Sequence, residues 1–220
     1  MTYEHDLDVL SRAAVRLAAR FDGMFGTETV ERLLHESYDL LAATSKVDNY
    51  LPLLAERFAA DRLRSLAKTQ GPTMNDTPEI LVVCTHNAGR SVAARILLDH
   101  HGQGRVTVRS AGSAPGDDIN PAVAQILTER GHDVTKEFPK PLTDEAARSA
   151  DVIITMGCGD ACPIFPGKRY LDWDLTDPAG KPVDEVRPIV DDIDQRAQAL
   201  LAELLGQTSV DDAATGSGAR

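Results

Sequence analysis

The residues with the clearest chemical meaning stand side by side: Cys84, Thr85, His86, Asn87, Ala88, Gly89, Arg90 and Ser91. A thiol, five residues, an arginine and a serine can cradle a tetrahedral oxyanion, provided a strand ends at the cysteine and a helix begins near the arginine. Backbone N–H groups of the loop and the positive end of the helix then converge on the anion. The same field favours the thiolate form of Cys84, the form that attacks. The planar fork of Arg90 suits two oxygens at once, and Ser91 has a hydroxyl to donate to the sulfur. Asn87 and Gly89 suit positions of positive φ, where successive amides turn inward. Thr85, Ala88 and Gly89 contribute backbone amides to the cradle. His86 either adds positive charge or is an exposed loop residue.

Two more cysteines, Cys158 and Cys162, bring the count to three. An odd number, in a chain that opens without a basic segment and apolar stretch of secretory type, argues for reactive thiols over a disulfide framework. Both follow the apolar run 152–156, which predicts that they emerge on the same sheet edge as Cys84. A zinc site is disfavoured, because Cys-x3-Cys lacks a second ligand pair. Asp177, followed by Pro178, could protonate a leaving oxygen or simply begin a turn. Asp172 and Asp174 are nearby competitors for that role.

The elements that must position these residues read clearly. Ile80, Leu81, Val82 and Val83 form a short continuous apolar run, as in a parallel strand buried on both faces. A helical pattern follows over 91–101, a strand over 106–110, and a helix to about residue 130 opened by Asn120 and an N1 proline, Pro121. Thr143 caps a further short helix. Strands follow at 152–156 and 170–173, and a long helix spans 183–205. Strands alternating with helices predict an α/β fold: a doubly wound, mainly parallel four-stranded sheet. Such a sheet binds ligands at the carboxyl ends of its strands, where Cys84 falls. Residues 1–70 carry a different grammar. Leu7, Leu10, Ala14, Leu17 and Phe21 recur every three or four positions. Two similar runs follow, one capped by Thr27 and one with Pro52 in its first turn. These predict a small three-helix bundle. Residues 71–78 read as a linker, 79–205 as the catalytic domain, and 206–220, polar and rich in Gly, Ser and Ala, as a disordered tail.

Bulk properties exclude several classes. The net charge of −11 argues against attraction to nucleic acid or an anionic membrane. No apolar run reaches the roughly 20 residues a bilayer demands, so the expected compartment is the cytoplasm. Aromatic residues make up only 5% of the chain, so aliphatic side chains must fill the core.

Over about residues 79–205 the sequence resembles the low-molecular-weight tyrosine phosphatase superfamily, and within it the thioredoxin-coupled arsenate reductases. Three places carry the resemblance: the loop from Cys84 to Ser91, the segment Ser110, Ala111, Gly112 and Ser113, and Asp177-Pro178. The first 70 residues lie outside the family's usual boundaries. The resemblance implies that Asp177 is the general acid and that Cys84, Cys158 and Cys162 form a redox relay. In it, Cys84 attacks arsenate, Cys158 attacks the Cys84 sulfur, and Cys162 moves the disulfide to 158–162. It implies arsenate as substrate, with phosphate or sulfate competing, and no tightly bound cofactor. Electrons would come from thioredoxin or a low-molecular-weight thiol system. The three residues between Cys158 and Cys162 are fewer than the family's best-known pattern has. In a helix, i and i+4 lie about 6 Å apart, a span a disulfide accepts. Two alternatives stay open: hydrolysis of phosphomonoesters, which needs only Cys84, and a single-cysteine reaction in which mycothiol or glutathione attacks the arsenate adduct. The few aromatics, with none directly after Pro178, disfavour phosphotyrosine. A role for 1–70 as a DNA-binding regulator is disfavoured by its net negative charge against a packing or docking module.

Overall fold

The computed structural model describes residues 2–43, 50–70, 77–157 and 164–215. Three helices come first: α1 (Thr2–Arg20), α2 (Thr27–Ala42) and α3 (Leu51–Gln70). Their periodic residues form one apolar core of Leu10, Leu17, Val30, Leu34, Phe58 and Leu63. The first stripe runs slightly differently from its expected path: Leu7 is 38% exposed, whereas Ala13 is fully buried. Gly26, in extended conformation, caps α2, and Thr27 is already helical; no side chain caps that end.

The remaining elements are β1 (Glu79–Cys84), α4 (Arg90–Gly102), β2 (Thr107–Gly112), α5 (Pro121–Glu129), α6 (Asp144–Ser149), β3 (Val152–Met156), β4 (Arg169–Asp172) and α7 (Val183–Thr215). The four strands make one parallel sheet in the order β2-β1-β3-β4. β1 is buried along its whole length. Because side chains alternate across a strand, Ile80, Val82 and Cys84 join the core beneath α4, α5 and α7, whereas Leu81 and Val83 join a second core with Ala147 of α6. Helices on both faces make the sheet doubly wound. Asn120 caps α5 by accepting from the Val123 N–H, with Pro121 at its first position, and Thr143 caps α6.

One expectation fails at the C-terminus. The long helix does not stop at residue 205 but continues to Thr215. Nothing between 206 and 215 breaks a helix outright: there is no proline, and the single Gly206 costs only about 1 kcal/mol. Composition suggested a polar tail, yet polar residues extend an established helix readily. The expected linker 71–78 lies mostly outside the described residues.

The bundle is docked on the catalytic domain. Phe138, from the segment after α5, inserts into the bundle core, where burying such a ring contributes about 2–3 kcal/mol. Buried Arg62 of α3 donates to Glu36 of α2 at 2.9 Å and to Glu145 of α6 at 2.8 Å. Burial, the largest single influence, works to raise the Glu145 carboxyl, but the hydrogen bond and charge of Arg62, the Glu145 backbone N–H and Thr143 together outweigh it and hold the group below its ordinary value. Lys68 reaches Asp151 at 2.6 Å, and Asp61 reaches Arg109 of β2 at 3.5 Å. Among the described residues no helix is long and apolar enough to cross a membrane.

Candidate active site

β1 ends at Cys84 and α4 begins at Arg90, so residues 85–89 turn between a central strand and a helix N-terminus. The loop's direction is set from outside. Carbonyls of Cys84, Thr85, His86 and Ala88 accept from the N–H groups of Ser113, Ala114, Gly116 and Asn120. In a trans peptide the following N–H points opposite to the carbonyl. The N–H groups of Thr85, His86, Asn87 and Gly89 are thereby turned away from those donors. The Asn87 N–H shows the outcome, donating to the Cys84 sulfur at 3.2 Å. Gly112 is required here, because a Cβ would lie 2.8 Å from the Thr85 carbonyl oxygen.

A short chain of hydrogen bonds fixes the Cys84 sulfur. The Lys140 backbone N–H donates to Asn87 Oδ1 at 2.8 Å, which assigns the other amide atom as nitrogen. That nitrogen donates to Ser91 Oγ at 2.9 Å. With Ser91 Oγ accepting there, its one hydrogen is free for the Cys84 sulfur, 3.0 Å away. Asn87 is fully buried and has φ of 48°, the left-handed region that asparagine tolerates. Gly89 does not follow expectation: its φ is −131°. Its role is steric, since a Cβ there would lie 2.8 Å from Pro178 Cγ.

Arg90 is buried and clamped. One terminal nitrogen donates to the Leu175 carbonyl at 3.1 Å, the other to Asp177 Oδ2 at 2.9 Å. Gly157 makes room for it: a Cβ there would lie 3.0 Å from the Arg90 guanidinium. The Asp177 side chain is half exposed, and its Oδ1 accepts from the Ala179 N–H. Of its two competitors, Asp172 accepts from Thr155 Oγ1 at 2.6 Å, and Asp174 is exposed. Thr85 donates to the Gly157 carbonyl and His86 is exposed. A cavity of about 380 Å³ lies over Cys84, Gly89, Arg90 and Asp177. No Phe, Tyr or Trp stands among its described lining residues. Cys158 and Cys162 lie outside the described residues. β3 does pair with β1 so that Met156 stands beside Cys84, and Cys158 is two residues further along the chain.

Asn120 has more to do than its sequence context indicates. Besides capping α5, its backbone N–H donates to the Ala88 carbonyl and its side-chain amide donates to the Pro178 carbonyl at 3.2 Å. One residue therefore ties the cradle to the loop bearing Asp177. A cap motif alone carries no sign of this. Leu175 and Lys140 act through backbone atoms, which sequence patterns do not report.

Two family models match the chain. Residues 79–210 match the family model for low molecular weight phosphotyrosine protein phosphatase. Residues 10–67 match that for the protein-tyrosine-phosphatase-like N-terminal domain. The chain is similar to the solved thioredoxin-dependent arsenate reductase of Corynebacterium glutamicum, at 45% identity and a TM-score of 0.81. That match covers 91% of this chain and 98% of the other. It is also similar to the glutaredoxin arsenate reductase of Synechocystis sp., 26% identical over 57% of this chain and 98% of that protein. The YwlE arginine phosphatase of Geobacillus stearothermophilus is a structural relative at 25% identity and a TM-score of 0.52, covering 59% of this chain and 94% of that one.

Proposed function

Because the chain belongs to the low molecular weight phosphotyrosine protein phosphatase family, we propose that it reduces arsenate to arsenite with electrons from a thioredoxin-like dithiol. One observation carries the reading. The Cys84 sulfur is held by Ser91 and the Asn87 amide beneath Arg90 and Asp177, in a chain with two further cysteines just beyond the neighbouring strand. Hydrolysis of an ester needs one thiol. Reduction of arsenic from the +5 to the +3 state needs two electrons, which a dithiol supplies on becoming a disulfide.

Arsenate enters the cradle on the loop amides and takes over the fork of Arg90. Asp177 is thereby released from Arg90 and stands beside the bound anion. The Cys84 thiolate attacks arsenic, the As–O bond to the leaving oxygen breaks, and Asp177 supplies the proton that lets it depart as water. Cys158 thiolate then attacks the Cys84 sulfur. The S–As electron pair stays on arsenic, giving arsenite and an 84–158 disulfide. Cys162 attacks Cys158, forming the 158–162 disulfide and freeing Cys84. An external dithiol reduces that bridge by exchange.

The test is NADPH oxidation with arsenate, thioredoxin and thioredoxin reductase. Cys84→Ser abolishes turnover, Asp177→Asn lowers it by about 10²–10⁴-fold, and Cys158→Ser stops after adduct formation. Full thioredoxin-coupled turnover in both Cys158→Ser and Cys162→Ser would contradict the relay and favour attack by mycothiol or glutathione. A second activity is expected from the same cradle, since phosphate and arsenate share its tetrahedral shape. Slow hydrolysis of small aryl phosphates should persist in Cys158→Ser and vanish in Cys84→Ser.

A further inference from the structure

Beneath the bundle, between α3 and the β1–β2 side of the sheet, lies a cleft of about 330 Å³. Its walls are basic in a chain whose net charge is −11: eight lining residues are Arg or Lys and two are Asp or Glu. Acids outside the walls offset part of this, Glu36 and Glu145 at Arg62, Glu79 at Arg109 and Asp133 at Lys136. The offset is incomplete. Arg64 is held below its ordinary value by burial and by the charges of Arg20 and Arg109, with Asp61 opposing. Lys140 is held down by burial and by Arg95 and Arg109, with Glu137 and Asp61 opposing.

A second observation points to a ligand. Among the described residues, the buried side-chain polar atoms without a hydrogen-bond partner are Arg62 Nε, Ser65 Oγ and Ser110 Oγ, and all three residues line this cleft. Ser65 is fully buried and Ser110 is 3% exposed. Buried polar groups are ordinarily paired. An arginine Nε only donates, and a serine hydroxyl donates to whatever its χ1 rotation brings within reach. Donors lacking an acceptor, set among cations lacking full compensation, describe an anion site. Phe58, Leu81 and Val108 complete the wall with apolar surface, enough to bear a small carbon body.

We propose that this cleft binds a small phosphorylated molecule, at a site separate from the Cys84 loop. The volume exceeds what a lone phosphate fills and lies at the low end of small-molecule pockets. The site is also connected to the nucleophile. Lys140 lines the cleft, and its backbone N–H holds Asn87, which positions Ser91 against Cys84. An occupant that draws Lys140 thus acts on the cradle from behind.

The test is calorimetric titration of the full chain carrying Cys84→Ser and Arg90→Ala, so that the catalytic loop no longer takes up anions. Inorganic phosphate, pyrophosphate and glycerol 3-phosphate serve as probes. One equivalent of pyrophosphate or glycerol 3-phosphate should bind, and adding Arg64→Glu, a half-exposed position, should weaken it at least tenfold. Tighter glycerol 3-phosphate assigns the apolar wall to a carbon body, and tighter pyrophosphate assigns the cations to a second phosphate; either supports the site. The wild-type chain, titrated in parallel, should take up two equivalents of pyrophosphate and lose one with Arg64→Glu. Absence of binding in the double variant together with a single equivalent in wild type would overturn the proposal. So would binding indifferent to Arg64→Glu. These outcomes do not depend on whether the Cys84 loop reduces arsenate.

Discussion

Asn87→Ala removes the residue that joins the Lys140 segment, the loop and the Cys84 sulfur, and its cost can be worked from the geometry. The buried Lys140 N–H loses its acceptor, 2.8 Å away, at about 1–3 kcal/mol for an unsatisfied buried donor. Ser91 loses its donor at 2.9 Å, another ~1 kcal/mol. Alanine must also adopt φ near 48°, which costs about 1 kcal/mol more than for asparagine. These contributions share one residue and do not simply add, so the expected loss is about 3 kcal/mol. In urea, with a slope of about 1–3 kcal/mol/M, the unfolding midpoint falls by roughly 1–3 M. Asn87→Gly relieves the backbone strain only and should recover about 1 kcal/mol of the loss. In both variants the Ser91 hydroxyl loses the contact that leaves its proton facing the sulfur. Alkylation of Cys84 by iodoacetamide at neutral pH should therefore slow severalfold relative to wild type. If Asn87→Ala cost less than about 1 kcal/mol and left the alkylation rate unchanged, the claim that this chain of hydrogen bonds sets the nucleophile would be wrong.

Gly89→Ala places a Cβ 2.8 Å from Pro178 Cγ, so the Asp177 loop must move; steady-state rates should fall by about tenfold to a hundredfold with little change in melting temperature. Glu145→Gln removes the carboxylate that Arg62 meets on α6 and should cost about 1 kcal/mol in chemical denaturation, because Glu36 still faces the buried guanidinium. His132 is held below 6.5 by burial and by the charges of His100, Arg130 and His101, with Asp194 opposing. Its folded form therefore favours the neutral ring: that contribution to stability is present above pH 6.5 and is lost as pH falls from there through the lower folded value. Melting curves should show a shallow decline over that window, and His132→Gln should flatten it.

Much of the fold was legible because its elements are locally consistent. Ile80, Leu81, Val82 and Val83 read as a doubly buried strand, and β1 is buried on both faces. Asn120-Pro121 and Thr143 announce helix starts through capping chemistry, and both caps form. The helix beyond Leu205 was missed because composition speaks of solvation rather than backbone conformation. Within the site, Cys84, Arg90 and Ser91 were recognisable from type and spacing, Asp177 only from the family resemblance, and the four stand together. Residues that act through shape or backbone were not. Gly89 reads as a conformational glycine yet serves as space for Pro178, and Gly157 leaves room for Arg90. Leu175 holds Arg90 through a carbonyl, and Asn120 holds the Asp177-Pro178 loop in addition to its visible cap. The cleft beneath the bundle is a product of docking, formed by residues from 20 to 146 that no local pattern unites.

The central claim is that Cys84 starts a relay that ends on Cys158 and Cys162. Disulfide mapping by mass spectrometry, on reduced protein quenched after one arsenate turnover without external reductant, tests it most directly. The account predicts one equivalent of arsenite, a disulfide between Cys158 and Cys162, a free Cys84 thiol, and in Cys162→Ser a trapped 84–158 bridge. Arsenite released with all three thiols intact, or a full equivalent formed only when a small thiol is added and found attached to Cys84, would contradict it.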